Sequence, residues 1–176
     1  LKPLWSPFID ILKTKRWWIL TMQMLIGGAL AGIAFTLPTA FWFQGTMFFF
    51  FSMAFASATH DIAADGYYML MLDEHNQTKY VGLRNTFYRL AVVFVNAGLA
   101  KLADKLENYF HMSVVYTWTL VFYGLAGLFI CIWLYHSRVM PRSDEDVATQ
   151  KKASDIAREL KSMFITFFSK FELKDT

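Results

Sequence analysis

From Trp17 to Leu37 (WWILTMQMLIGGALAGIAFTL) the sequence runs 21 residues without one charged side chain. Three more long apolar stretches follow, at about 40–72, 80–102 and 113–136. A bilayer core of roughly 30 Å needs about 20 helical residues, so each stretch is long enough to span it. A lone strand would leave backbone N–H and C=O groups unpaired in lipid, which makes helix the expected spanning form. The alternation of a membrane β-barrel is missing, because FWFQGTMFFFFSMAF is apolar on every side. Composition agrees: 56% of residues are hydrophobic and 18% charged, against about 45–50% and about a quarter in an average soluble domain. With Cys131 as the one cysteine, no disulfide framework exists. The net charge of +3 does not point to nucleic acid, because its distribution follows the spans. The expected fold is all-α, a polytopic transmembrane helical bundle.

The basic residues orient the bundle. Lys2, Lys13, Lys15 and Arg16 precede the first span, Lys79 lies between the second and third, and eight Lys and Arg follow the fourth. One side thus collects 13, whereas the connection between the third and fourth spans holds only Lys101 and Lys105. Both ends of the chain are expected to be cytoplasmic. Trp17, Trp18, Trp42 and Tyr109 fall near the boundaries, as an aromatic belt would place them. Small residues at Gly27-Gly28-Ala29, Ala31-Gly32 and Gly124–Gly127 predict close helix–helix approach.

The chain starts with Leu and shows no signal peptide; residues 1–16 read as the tail of an earlier span and a cytoplasmic loop. Residues 137–176 read as a cytoplasmic linker. In it, Ser143–Asp146 offers a helix start. Ile156, Leu160, Met163, Phe164, Phe167, Phe168 and Phe171 then recur at three- and four-residue steps. That spacing describes an amphipathic helix on the membrane surface, or a soluble helix packed on a partner domain.

Charges inside the spans carry the chemistry. Asp61 and Asp65, in the run THDIAADGY, are four apart and share a helix face. A charge at the bilayer centre costs at least about 2.5–3.5 kcal/mol, so such residues need a bundle interior, a wet cavity or partners. Counted from a second-span end near Leu72, Asp65 lies about 10 Å deep and Asp61 about 16 Å, while Arg84 and Arg89 on the returning third span lie about 6 and 13 Å deep. Antiparallel neighbours would bring Asp65 to Arg84 or Arg89, and Asp61 to Arg89. Such pairs either fix helix register or form a gate, a substrate contact or a proton-coupling site. An arginine partner keeps a carboxylate ionised, and its release raises proton affinity. His60 could relay protons, though a single intrahelical histidine is more often just hydrogen-bonded. Gln23, Gln44, Asn85 and Asn96 read as helix glue or pathway lining. A metal-dependent membrane enzyme would need a second acidic cluster, and no further Asp or Glu lies inside a span. Neither a metal site nor a cofactor is expected. The histidines (His60, His75, His111, His136) accompany no nucleophile motif.

Two segments carry a resemblance. Lys2-Pro3-Leu4-Trp5-Ser6-Pro7-Phe8-Ile9-Asp10, with Arg16-Trp17-Trp18 and Gln23, resembles the second-to-third helix region of the muropeptide permeases, members of the major facilitator superfamily. His60-Asp61-Ile62-Ala63-Ala64-Asp65-Gly66-Tyr67 resembles the fourth-helix motif shared by those permeases and the acetyl-coenzyme A transporters, with His60 in place of the usual Gln. Of the superfamily's loop signature, G-x-x-x-D-[RK]-x-G-[RK]-[RK], Asp10 fits, while Ser6 and Lys13 stand where the two glycines belong. The resemblance implies helices three to six of a twelve-helix transporter of two six-helix halves, in a bacterial inner membrane, with the substrate site between the halves. Its expected partners are the lipid bilayer, a small solute, protons and the missing C-terminal half. The solute would be a peptidoglycan-derived sugar–peptide, or another such as acetyl-CoA or a sugar. Asp10 with Lys13, Lys15 and Arg16 would belong to a cytoplasmic loop gate.

Overall fold

A computed structural model describes residues 12–144 continuously, together with Trp5, Ser6, Phe8, Ile9, Asp146, Arg158, Ser162 and Ile165. Asp10 and nearly all of the amphipathic segment 147–176 lie outside the described residues. The regular elements are all helical: α1 (Lys15–Thr36), α2 (Trp42–Met71), α3 (Glu74–Val93), a π-helical turn (Phe94–Gly98), α4 (Leu99–Phe110) and α5 (Val114–Val139). Four helical stretches are long and apolar enough to cross a membrane, the third running from α3 through the π turn into α4.

Local chemistry sets the helix starts. Thr14 opens α1, its hydroxyl accepting the Trp17 N–H, and Asp73 opens α3 by accepting from the Asn76 N–H at 2.8 Å. At the far end of α4, His111 takes a left-handed conformation (φ 53°) and closes the helix. The π turn ends on Gly98 and contains Asn96, whose side chain bonds back to the Val92 carbonyl at 2.8 Å.

α1 is the central helix, packing along both α2 and α5. Met22, Ile26 and Leu30 of α1 meet Ala56 of α2 and Ala126 of α5 in the main core. Close approach depends on two glycines in particular. A Cβ on Gly32 would lie 2.4 Å from the Phe49 ring of α2, and one on Gly27 would lie 3.3 Å from the Phe129 Cβ of α5. Ala29 and Ala126 are buried as the clusters predict, whereas Gly28, Gly124 and Gly127 face open space. Trp18 also departs from an aromatic belt. It turns inward, packs on both cores and donates its indole N–H to the Ile9 carbonyl at 3.0 Å.

The third span is where the sequence expectation fails. It does not lie as an antiparallel neighbour along α2; among the described residues α3 meets α2 only near their shared turn, and α4 meets α5. No residue of α3 is buried. The segment 103–110, expected to be a polar connection, is helical to Phe110. Along α4, Leu99, Leu102 and Leu106 recur on one stripe with Lys101 and Lys105 off it, so the helix continues beyond the apolar run.

Candidate functional site

Three polar arrangements occupy the end of the bundle where α1 begins and α2 and α5 finish. The first is the Asp65–Arg84 pair. Asp65 sits two turns before the end of α2, and Arg84 three turns into α3. The Arg84 Nη2 donates to the Asp65 Oδ1 at 2.5 Å. The guanidinium also lies 5.8 Å from the Tyr68 ring centroid. The α2–α3 turn is held by Gln77, whose amide donates to the Leu72 carbonyl at 2.6 Å and the Met69 carbonyl at 3.2 Å. Together Asp65, Tyr68, Glu74, Gln77 and Arg84 line an open groove of about 650 Å³. A second cavity of similar volume, lined by Ile26, Leu30, Phe50, Val95 and Leu99, is apolar and carries none of this chemistry.

Asp61 and Arg89 stand apart from that pair. Asp61 is 59% exposed, with its Oδ1 4.0 Å from the His60 Nδ1. Arg89 is exposed on α3. No ion pair joins them among the described residues, because α3 leaves α2 just beyond Arg84 rather than running alongside it.

The second arrangement was not legible as a unit. Gln23 of α1 is buried, at 5% exposure. Its amide nitrogen lies 3.2 Å from the His60 Nε2 of α2 and 2.8 Å from the His136 Nδ1 of α5. The amide oxygen lies 3.1 Å from that same Nδ1. One side chain thus joins three spans. Of the four amides expected as glue, only Gln23 does this; Gln44 and Asn85 are exposed and Asn96 bonds within its own helix.

The third arrangement closes the N-terminal end of α1. Asp146, buried at 8% exposure, accepts the Lys15 N–H at 2.7 Å and the Arg16 N–H at 3.0 Å. A carboxylate here satisfies two N–H groups that the helix itself cannot pair, and it meets the positive end of the helix dipole. Arg16 in turn donates to the Ser137 carbonyl at 2.8 Å and the Met140 carbonyl at 3.1 Å, at the C-terminal end of α5. The Tyr67 hydroxyl donates to the Pro141 carbonyl at 2.9 Å. The Lys15 side chain lies over Gly66, where a Cβ would come within 2.8 Å of its Cε. Lys13 is exposed. The helix expected to start at Ser143–Asp146 would run through residues outside those described; the Asp146 N–H itself bonds to the Ser143 carbonyl at 3.1 Å.

These polar ties cross between apolar spans, which is the organisation of a membrane protein whose helices must hold register without a soluble core. A family profile, described as Major Facilitator Superfamily, matches residues 1–172. The chain belongs to the Major Facilitator Superfamily. It is therefore an integral membrane protein of a transporter family, its apolar helices in contact with the bilayer. Comparison with curated proteins and with solved structures gives no match. Within the superfamily, then, the residues themselves must carry any finer reading.

Proposed function

We propose that this chain forms helices three to six of a twelve-helix, proton-coupled transporter of the bacterial inner membrane, with both of its ends cytoplasmic. The proposed solute is a peptidoglycan-derived sugar–peptide fragment, on the strength of the HDIAADGY and KPLWSPFID segments. The observation that carries the reading is the Asp65–Arg84 pair on two adjacent spans. A carboxylate and a guanidinium in apolar helices are tolerable only with a partner or water, and here each supplies the other. Functionally, the pair is a gate: a solute carboxylate that draws Arg84 away leaves Asp65 to take up a proton. Arg89, exposed about one and a half turns further along α3, is the next cation such a solute would meet. Asp10, Lys13, Lys15 and Arg16 belong to the cytoplasmic gate, with Arg16 bound to the end of α5 and the Lys15 N–H to Asp146 just beyond it.

The test is uptake by the full-length transporter in proteoliposomes, using a radiolabelled disaccharide–peptide and an imposed pH gradient. Asp65→Asn and Arg89→Gln are each expected to abolish uptake while the protein still inserts. Normal uptake by both removes these residues from the mechanism. Uptake of acetyl-CoA or of a simple sugar in place of the disaccharide–peptide reassigns the solute.

A further inference from the structure

The tie between Gln23, His60 and His136 has a property that ordinary helix glue lacks. A glutamine side chain offers two N–H donors and one carbonyl oxygen. With both imidazoles neutral, the amide nitrogen can donate to the His60 Nε2 and to the His136 Nδ1, at 3.2 and 2.8 Å. Each ring then carries its own hydrogen on the other nitrogen. The His136 Nδ1 also lies within 3.1 Å of the amide oxygen. The same nitrogen, in the same place, can therefore accept from the amide N–H or, once protonated, donate to the amide oxygen. His60 has no such choice, since only the amide nitrogen is in reach of its Nε2.

We infer that Gln23, His60 and His136 form a proton-binding site of this transporter, with His136 as the group that takes the proton. The inference rests on the proton-coupled reading above and adds a second proton-holding group beside Asp65. The step is simple to balance. A proton from the aqueous side adds to the His136 Nδ1, whose lone pair stops accepting from the amide N–H. The new N–H donates to the Gln23 Oε1, while the amide keeps an N–H for His60. No tie between the helices is lost, and the one at His136 becomes charge-assisted and stronger. Release of the proton reverses each change. The site holds one proton, because a hydrogen on the His60 Nε2 would face the amide nitrogen, which cannot accept, and two cations at this spacing repel.

The surroundings suit that role. On α2, Asp61 faces His60 at 4.0 Å. On α5, the Tyr135 ring lies 5.6 Å from the His136 ring, and Arg138 is exposed two residues on. α1 contributes Gln23 and also the Arg16 guanidinium, which donates to the Ser137 carbonyl beside His136, while Lys15 lies in the first turn about 12 Å back along the axis from Gln23. His136 is partly exposed and lies in the last turn of α5, about 5 Å from its end, so water reaches it without a channel through the bundle. That turn is also the one Arg16 clasps through the Ser137 carbonyl. Proton occupancy thus strengthens α1–α5 contact where these helices are closed against each other.

Full-length protein in proteoliposomes tests this, with the labelled disaccharide–peptide as probe and a trapped pH dye reporting proton flux. His136→Gln is expected to lower gradient-driven accumulation by about tenfold or more while solute counterflow persists. The pH dependence of solute affinity should flatten in the same variant. Undiminished proton flux in His136→Gln overturns the inference alone, as does equal loss of accumulation and counterflow. Solute movement without proton flux in the unaltered transporter overturns the coupled reading, and this site with it. If the variant does not insert, isotope-edited infrared difference spectra of labelled histidine in the unaltered protein decide. A solute-induced change in imidazolium signal supports the site, and its absence overturns it.

Discussion

Asp146 accepts the backbone N–H of Arg16 at 3.0 Å although 130 residues separate them. The segment after the last span is thereby fastened to the start of the first described span, and Arg16 returns the contact through the Ser137 and Met140 carbonyls. The two ends of the described bundle lock each other. Each uses the other's unpaired helix-terminal groups.

Removing that cap should loosen the lock measurably. Asp146→Ala leaves the Lys15 and Arg16 N–H groups unsatisfied at the helix start, at a cost of about 1–2 kcal/mol. Detergent-solubilised protein is expected to melt a few degrees lower and to be cut faster by protease between residues 140 and 150. Asp146→Asn, which keeps one acceptor oxygen, should lose less. Equal stability of all three proteins would show that the cap is dispensable.

The Asp65–Arg84 pair should matter far more to transport than to stability. Both groups are partly exposed, at 34% and 53% of their side chains. Exposed pairs contribute about 0–1 kcal/mol, so Arg84→Gln should barely move the melting temperature. Uptake, in contrast, should be lost, and exchanging the charges as Asp65→Arg with Arg84→Asp should restore part of it. Failure of the exchanged pair, with correct insertion, would mean that position and not pairing is what counts.

Gly32 and Gly28 make a matched comparison on one helix. Gly32→Ala places a methyl group against the Phe49 ring and is expected to destabilise by about 1–3 kcal/mol. Phe49→Leu should relieve that cost in the double variant. Gly28→Ala meets no neighbour, so it should be neutral or stabilise by up to about 1 kcal/mol through helix propensity. Unfolding of reconstituted protein by denaturant reads all three.

Gln23→Leu tests the amide bridge as structure. It leaves two imidazole nitrogens without their partner inside the bundle, at a cost of about 1–3 kcal/mol. Gln23→Glu keeps the oxygen but removes the donor to His60, and should destabilise less if His136 is protonated. Melting curves at two pH values separate the variants: the Glu variant should gain on the Leu variant as pH falls.

The helical class and the four apolar stretches were legible because they depend on composition along the chain. A run such as 17–37 without charge has one stable form in lipid, whatever its neighbours do. The Asp65–Arg84 pairing was also within reach, since both residues flank the same short turn. Helical rise alone brings them level there. What lay beyond sequence was any relation between distant segments. The bond from Gln23 to His136 spans 113 residues, and that from Asp146 to Arg16 spans 130. Gln23 and Asn96 look alike as lone amides in apolar helices, yet one joins three spans and the other bonds its own backbone. Gly32 and Gly28 differ in nothing but their direction around one helix. Expecting α3 to run beside α2 failed for the same reason: a short turn sets where a helix begins, while packing elsewhere sets where it goes. Periodicity and charge determine what each segment must be. Only the folded bundle decides which of its polar atoms find partners, because that depends on helix rotation and tilt, and no local property of the chain encodes them.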